Sequence, residues 1–176
     1  LNAEITGSPL MRGFTFLSGK PLLALLNNDD DDTALPAGDP PPGVEIMVVR
    51  GKLEHEISRM SDEEAADFLK EFDITEPATA RAIKRSYETL GLISFFTVGE
   101  DEVRAWTIKK DTPAVKAAGV IHSDMEKGFI RAEVVAYDDL ITAGCYAEAR
   151  KKGTTRLEGK TYVMADGDVV TFRFNV

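Results

Sequence analysis

Gly91 divides this chain into two stretches whose apolar residues repeat with different periods, and that change constrains the fold more than any other feature. Before it the spacing is helical. In "SDEEAADFLKEF", Ser61 and Glu64 are placed for a capping box, while Ala65, Phe68, Leu69 and Phe72 share one face. A second helix is expected after Pro77, with Ala80, Ile83, Tyr87 and Leu90 in register and Gly91 as its stop. After Gly91 the pattern becomes mostly β. "LISFFTV" and "VRAWTIK" flank a polar turn, Gly99 to Glu102, as a hairpin does. "PAVKAAGVIHSDMEKGF" begins as a short helix from Pro113, "IRAEVVAY" reads as a strand, and "YDDLITAGCYAEARKKG" as a partly helical crossover. "KTYVMADGDVVTFRFNV" is expected to close with two strands around Asp166 to Asp168. Strand pair, helix, strand and terminal strand pair is the order of a small β-grasp, ubiquitin-like sheet.

Upstream, residues 21–26 ("PLLALL") form a short apolar run bounded by Pro21 and an Asn/Asp cluster, the pattern of a buried parallel strand. Residues 33–43, "TALPAGDPPPG", hold four prolines in eleven residues and must be a loop. "VEIMVVR", Val44 to Arg50, returns as a second strand. Two strands are too few for a free-standing parallel sheet. The expected class is therefore α+β: residues 1–90 as the remnant of a larger α/β domain with two helices, which the resemblance given below makes a nucleotide-binding one, and residues 91–176 as a β-grasp domain.

Charge narrows the partners. The net charge is −9, and residues 1–90 carry nine lysines and arginines against 17 acidic residues, whereas residues 91–176 carry 12 against 13. Broad, electrostatically driven nucleic-acid binding needs a basic face, so any RNA-facing surface is expected in the second half, and DNA is not expected as a partner. The one cysteine, Cys145, permits no internal disulfide and fits a reducing cytosol. Two histidines, His55 and His122, leave little material for zinc. No apolar run approaches the roughly 20 residues that span a bilayer, and no secretory signal is visible. Because the sequence begins at Leu1 rather than Met, a fragment or a trimmed chain is expected.

Few residues are arranged for catalysis, and no catalytic or metal-ligating set is assigned. Two stretches approach the phosphate-loop pattern, in which backbone N–H groups wrap phosphates and a hydroxyl reaches magnesium. Gly13 to Pro21 and Gly153 to Thr161 both have five residues where four are needed; the first ends in Pro21, and the second is read as entering a strand. Asn27 and Asp30 match Asn-Lys-x-Asp with asparagine in the lysine position. A carboxylate beyond a strand's carboxyl end can accept two hydrogen bonds from a guanine edge; the alternative is a hydrated acidic turn. His122 and Asp124 could pair as an acid/base dyad; the alternative is that Ser123 or Asp124 caps a turn and His122 packs beside the helix. Cys145 reads as a small semi-buried residue. Trp106, Phe95, Phe96, Phe129 and Phe172 could stack on bases, although strand alternation makes most of them core. Arg150, Lys151, Lys152 and Arg156, with Lys109 and Lys110, make the candidate RNA or partner surface, against the plainer reading of a solvated face.

These stretches add up to a resemblance. "FFTVGEDEVRAWTIKKDTPAVKAAGVIHSDMEKGFIRAEVVAYDDLI" followed by "RLEGKTYVMADGDVVTFRFNV" resembles the C-terminal region of the YchF/Obg-like ATPase family, a β-grasp module called the TGS domain. "MRGFTFLSGKPLLALLNNDDDD" resembles the family's stretch leading into the base-recognition motif, and "VVRGKLEHEI" its next strand and the loop carrying the Ser-Ala-Lys element. The resemblance implies that Asn27, Asn28 and Asp30 occupy base-recognition positions and that Gly51 and Lys52 lie in the loop closing over the base. Asp30 stands where the family typically has Asn-x-x-Glu, so a preference for ATP or GTP stays open; Arg50 and Gly51 replace Ser-Ala.

By the same resemblance the whole protein would be a cytoplasmic P-loop NTPase that binds ATP or GTP with Mg2+ and associates with ribosomes or RNA. Phosphate loop and switch regions are missing here, so the chain by itself should neither hydrolyse nucleotide nor bind it tightly. An alternative reading makes the TGS domain a protein-interaction or small-ligand regulatory module without nucleotide function. A third, an independent enzyme built on His122 and Asp124, would need both side chains in one pocket.

Overall fold

The computed structural model describes residue 5 and residues 8–72, 74–99 and 101–175. The chain divides into two compact units, Leu1–Leu90 and Gly91–Val176.

In the first unit two 3-10 turns, Pro9–Phe14 and Leu17–Gly19, lead into β1 (Leu22–Asn27). The proline-rich loop then brings the chain back to β2 (Val44–Val49), which pairs parallel with β1 from Leu22↔Val44 to Asn27↔Val49. Helices α1 (Gly51–Ile57), α2 (Asp62–Glu71) and α3 (Ala78–Leu90) follow. Met47 of β2 and Leu53 and Ile57 of α1 are buried. The expected burial of β1 is corrected: Leu22 and Leu25 remain about half exposed, because β2 and α3 cover only part of the strand. Gly51 and Lys52 also depart from expectation, since they begin a helix rather than lie in a loop. Periodicity over seven residues is too short a signal to announce that helix.

Local chemistry explains the other two helices. The Ser61 hydroxyl accepts from the Glu64 N–H, and the Glu64 carboxylate accepts from the Ser61 N–H at 3.0 Å, which satisfies two donors that a helix start otherwise leaves unpaired. Gly91, at φ +61°, adopts the left-handed conformation that ends α3.

The second unit is a five-stranded sheet with helices on both faces. Its elements are β3 (Leu92–Val98), β4 (Val103–Lys109), α4 (Ala114–Ile121), α5 (Ser123–Lys127), β5 (Phe129–Ala136), α6 (Tyr137–Ala143), α7 (Tyr146–Lys151), β6 (Arg156–Glu158) and β7 (Asp168–Phe174). The strand order is β4-β3-β7-β5-β6, with β3 parallel to β7 and the other pairs antiparallel. First and last strands lying parallel at the centre define the β-grasp arrangement. The hairpin β3–β4 forms, and Glu100 of its expected turn lies outside the described residues. The closing segment is corrected: Lys160 to Ala165 contributes only an isolated bridge, Pro113↔Val163, while the penultimate strand lies earlier, at Arg156–Glu158.

On one face Phe95, Phe129, Phe172, Val134 and Val170 pack against Ala114, Ala117 and Ala118 of α4, whose small side chains let the helix lie close to the sheet. Phe95, Phe129 and Phe172 are therefore core and offer no stacking surface for bases. On the other face Val135 and Val169 are covered by Ala149, Leu140 and Tyr146 of α6 and α7. Among the described residues of this unit two acidic side chains are buried, Glu133 and Asp168. Asp168 Oδ2 accepts from the Tyr162 hydroxyl at 2.8 Å and from the Ala165 N–H at 2.9 Å, and Arg156 donates to the same hydroxyl at 3.0 Å. The described residues include no helix long and apolar enough to cross a membrane.

Burial and the bond to Asp168 push the Tyr162 phenol up to about 12. A raised phenol contributes stability below its ordinary value of 10.0, lost as pH rises through about 12. Tyr162→Phe should thus cost about 1–2 kcal/mol in urea unfolding at neutral pH, because Asp168 loses a donor while staying buried, and should remove that alkaline step.

Candidate functional site

The carboxyl ends of β1 and β2 lie side by side because the strands are parallel, and four of the five expected base-site residues meet there. Asn27, the last residue of β1, turns its Oδ1 to accept from the Gly51 N–H at 2.9 Å. This bond fixes the start of α1 against the end of β1. Lys52 Nζ stands 3.3 Å from Asp30 Oδ2. Arg50 donates to the Asp30 carbonyl at 3.2 Å and to the Phe72 carbonyl at 3.4 Å, tying the acidic loop to the end of α2. The fifth residue, Asn28, points elsewhere: its Nδ2 donates to the Ala34 carbonyl at 3.0 Å and so braces the proline-rich loop.

A hydrogen-bonded asparagine, a half-buried carboxylate and an exposed ammonium form a polar corner at the strand ends, where open α/β sheets collect ligands. Gly51 has a geometric reason to be glycine. A Cβ there would lie 2.8 Å from Asn27 Oδ1, which would have to move. The phosphate-loop near misses have no strand–loop–helix setting: the first runs from the end of one 3-10 turn through the next, the second includes β6. Among the described residues no group of three His, Cys, Asp or Glu is placed to hold a metal. A cleft of about 540 Å³ in this unit is lined by Arg50, Arg81, Lys84 and Arg85 with Glu76 and Glu88, and does not include Asn27, Asp30 or Lys52.

In the second unit the expected basic cluster is largely paired. Arg150 binds buried Glu133, Lys151 binds Glu148, Lys152 donates to the Thr142 carbonyl at 3.3 Å, and Arg156 lies 3.4 Å from Glu158. Lys109 and Lys110 are exposed, one at the end of β4 and one just beyond it. Sequence reasoning overlooked Arg131 and Arg173, which face each other across β5 and β7 with Arg173 3.1 Å from Glu133. Charged residues at alternate positions of the otherwise apolar run "IRAEVVAY" were the available signal.

His122 and Asp124 form no buried dyad. His122 Nδ1 accepts from the Asp124 N–H at 3.2 Å, which makes His122 itself the N-cap of α5, and its side chain is 64% exposed. It caps the helix rather than packing beside it. Cys145 is exposed rather than semi-buried. Trp106 is half-buried, with its Nε1 donating to Thr97 at 2.9 Å and the Arg104 guanidinium 4.2 Å above its ring.

Asn27→Ala should accelerate amide exchange at Gly51 about fivefold, the value of one hydrogen bond, and Gly51→Ala should act on the same contact, so that the double variant is less than additive. Glu133 carries a second expectation. The Arg150 hydrogen bond, aided by Arg173, holds its carboxyl below the usual 4.5 despite burial. The resulting stability is present above that value and lost as pH falls below it. Glu133→Gln should cost about 1–2 kcal/mol near neutrality, since both arginines can return to water, and should flatten the acid limb of unfolding.

The chain is similar to known proteins over most of its length. Residues 92–175 match the family model YchF-GTPase_C, described as "Protein of unknown function (DUF933)". The chain is 46% identical to the ribosome-binding ATPase YchF of Bacillus subtilis over 95% of its own length and 48% of that protein's. It is 39% identical to Obg-like ATPase 1 of Xenopus laevis over 94% of its length and 44% of that protein's. The solved structure of the Schizosaccharomyces pombe YchF GTPase superposes with a TM-score of 0.72 at 31% identity, covering 93% of this chain and 46% of that one. The chain thus spans about half the length of the curated relatives it matches. Two units, a β-grasp sheet and continuous similarity across both place the chain in the YchF/Obg-like ATPase family, as its C-terminal part.

Proposed function

We propose that residues 1–90 are the C-terminal remnant of a P-loop NTPase domain, that residues 91–176 are its TGS domain, and that the two supply a base-recognition corner and a ribosome-docking module to a cytoplasmic protein that binds ATP or GTP with Mg2+. The carrying observation is the meeting of Asn27, Asp30, Gly51 and Lys52 at the carboxyl ends of the parallel strands. Asp30 would accept from the base edge once Lys52 swings aside, which costs little because a surface ion pair is worth at most about 1 kcal/mol. Asn27 would position the start of α1 beside the base. Phosphoryl transfer rests on positioned phosphates and magnesium, which these residues do not supply, so the chain by itself would not hydrolyse nucleotide. The relatives named ribosome-binding ATPases support the docking partner.

A second reading, the TGS domain as a regulatory or protein-interaction module, is favoured by one observation. β4 lies at an edge of the sheet, beside a groove of about 560 Å³ lined by Trp106, Arg104, His122 and Met125.

Calorimetric titration of ATP and GTP with Mg2+, into this chain and into a form extended upstream through a phosphate loop, separates the two. The first reading expects binding only by the extended form, with Asp30→Ala abolishing any base preference. Binding by neither form would overturn it and leave the regulatory reading.

A further inference from the structure

We propose that Arg131, Arg173 and Arg150 form a phosphate-binding patch on the open part of the β-grasp sheet, a seat for the backbone of single-stranded RNA. This deepens the ribosome-docking reading above and rests on it. Arg131 and Arg173 are direct cross-strand partners on β5 and β7, so their Cα atoms lie roughly 4.5–5.5 Å apart and both side chains leave the same face. Like charges in that relation destabilise a sheet. Something other than stability must account for them.

Two residues along, Glu133 lies opposite Thr171 on the same face. Its carboxylate is 3% exposed and accepts from Arg150 and from Arg173 Nη2 at 3.1 Å. Arg131 has no partner among the described residues. Three guanidinium groups thus stand near one carboxylate that binds only two of them, a local charge of +2 on a chain whose total is −9. Arg150 and Arg173 keep more than half of their side-chain surface in solvent, 57% and 56%. Glu133 thus orients two forks from below without covering them.

Helices α6 and α7 close only the Val135 and Val169 end of this face, so Arg131, Thr171 and Arg173 stand clear. A guanidinium fork matches a phosphate bidentately. A row of forks across flat strands suits a repeating phosphodiester better than one compact anion. Acidic flanks elsewhere would repel RNA and confine it to this patch.

The test is a salt titration of the 176-residue chain against a fluorescein-labelled oligouridylate, read by anisotropy, with co-sedimentation on purified ribosomes alongside. Loss of two phosphate contacts in Arg131→Gln/Arg173→Gln should reduce the slope of log K against log salt by about 1.4 and weaken binding about 25-fold at 0.1 M salt. Arg131→Lys/Arg173→Lys should keep the slope. Arg131→Gln alone should not lower Tm, because it removes a repulsion. Wild-type affinity and slope in the glutamine double variant would overturn the patch. Failure of the wild-type chain to bind the oligonucleotide would also overturn it; retained ribosome binding would then point to a protein contact and spare the docking reading, while loss of both would end both.

Discussion

Parallel pairing of β3 with β7 is the constraint on which the second unit depends. These strands open and close the unit, so everything between them must return the chain to the centre of the sheet. The pairing at Phe96↔Val169 is held from outside the ladder by the turn that precedes β7. Asp166 accepts from the Ser94 N–H at 2.8 Å, and the Gly167 N–H donates to the Ser94 carbonyl at 2.9 Å. Gly167, at φ +80°, takes a backbone conformation that other residues adopt only under strain. Burying Asp168 with two donors then locks the start of β7 in place. With that strand seated, Phe172 meets Phe95 edge to face at 6.0 Å and the core closes.

The first unit uses parallel pairing to a different end. Its two strands bury little, yet they align their carboxyl ends, and alignment is what a ligand corner requires. One side-chain hydrogen bond, Asn27 to Gly51, converts that alignment into a fixed start for α1. The corner is polar and partly open. Charge follows the same division. The first unit carries net −8 and the second −1, and within the second Arg150 and Arg173 both bind Glu133.

Much of this architecture could be read along the chain. The capping box at Ser61 and Glu64, the glycine stop at Gly91 and the polar turn between "LISFFTV" and "VRAWTIK" are short-range patterns, and each appears where its spacing indicates. Misplacements came where periodicity is short or ambiguous. Seven residues of α1 hold under two turns, and three residues of β6 show no alternation to detect. β1 is apolar throughout, but apolar composition cannot say how many neighbours will cover a strand. Of the residues expected at a base site, Asn27, Asp30, Gly51 and Lys52 converge, whereas Asn28 serves the proline-rich loop.

By itself the sequence determined element types, the caps, the division at Gly91 and the family motifs, because these depend on residues a few positions apart and on their own backbone preferences. Only the tertiary structure decided which charges are spent on one another and which remain for a partner. Arg150, Lys151 and Arg156 are committed to Glu133, Glu148 and Glu158, while Arg131 faces Arg173 across the sheet and has no ion-pair partner among the described residues. That outcome depends on the register of β5 against β7, strands separated by more than thirty positions along the chain. Register follows from which faces the core accepts, and no local spacing contains it.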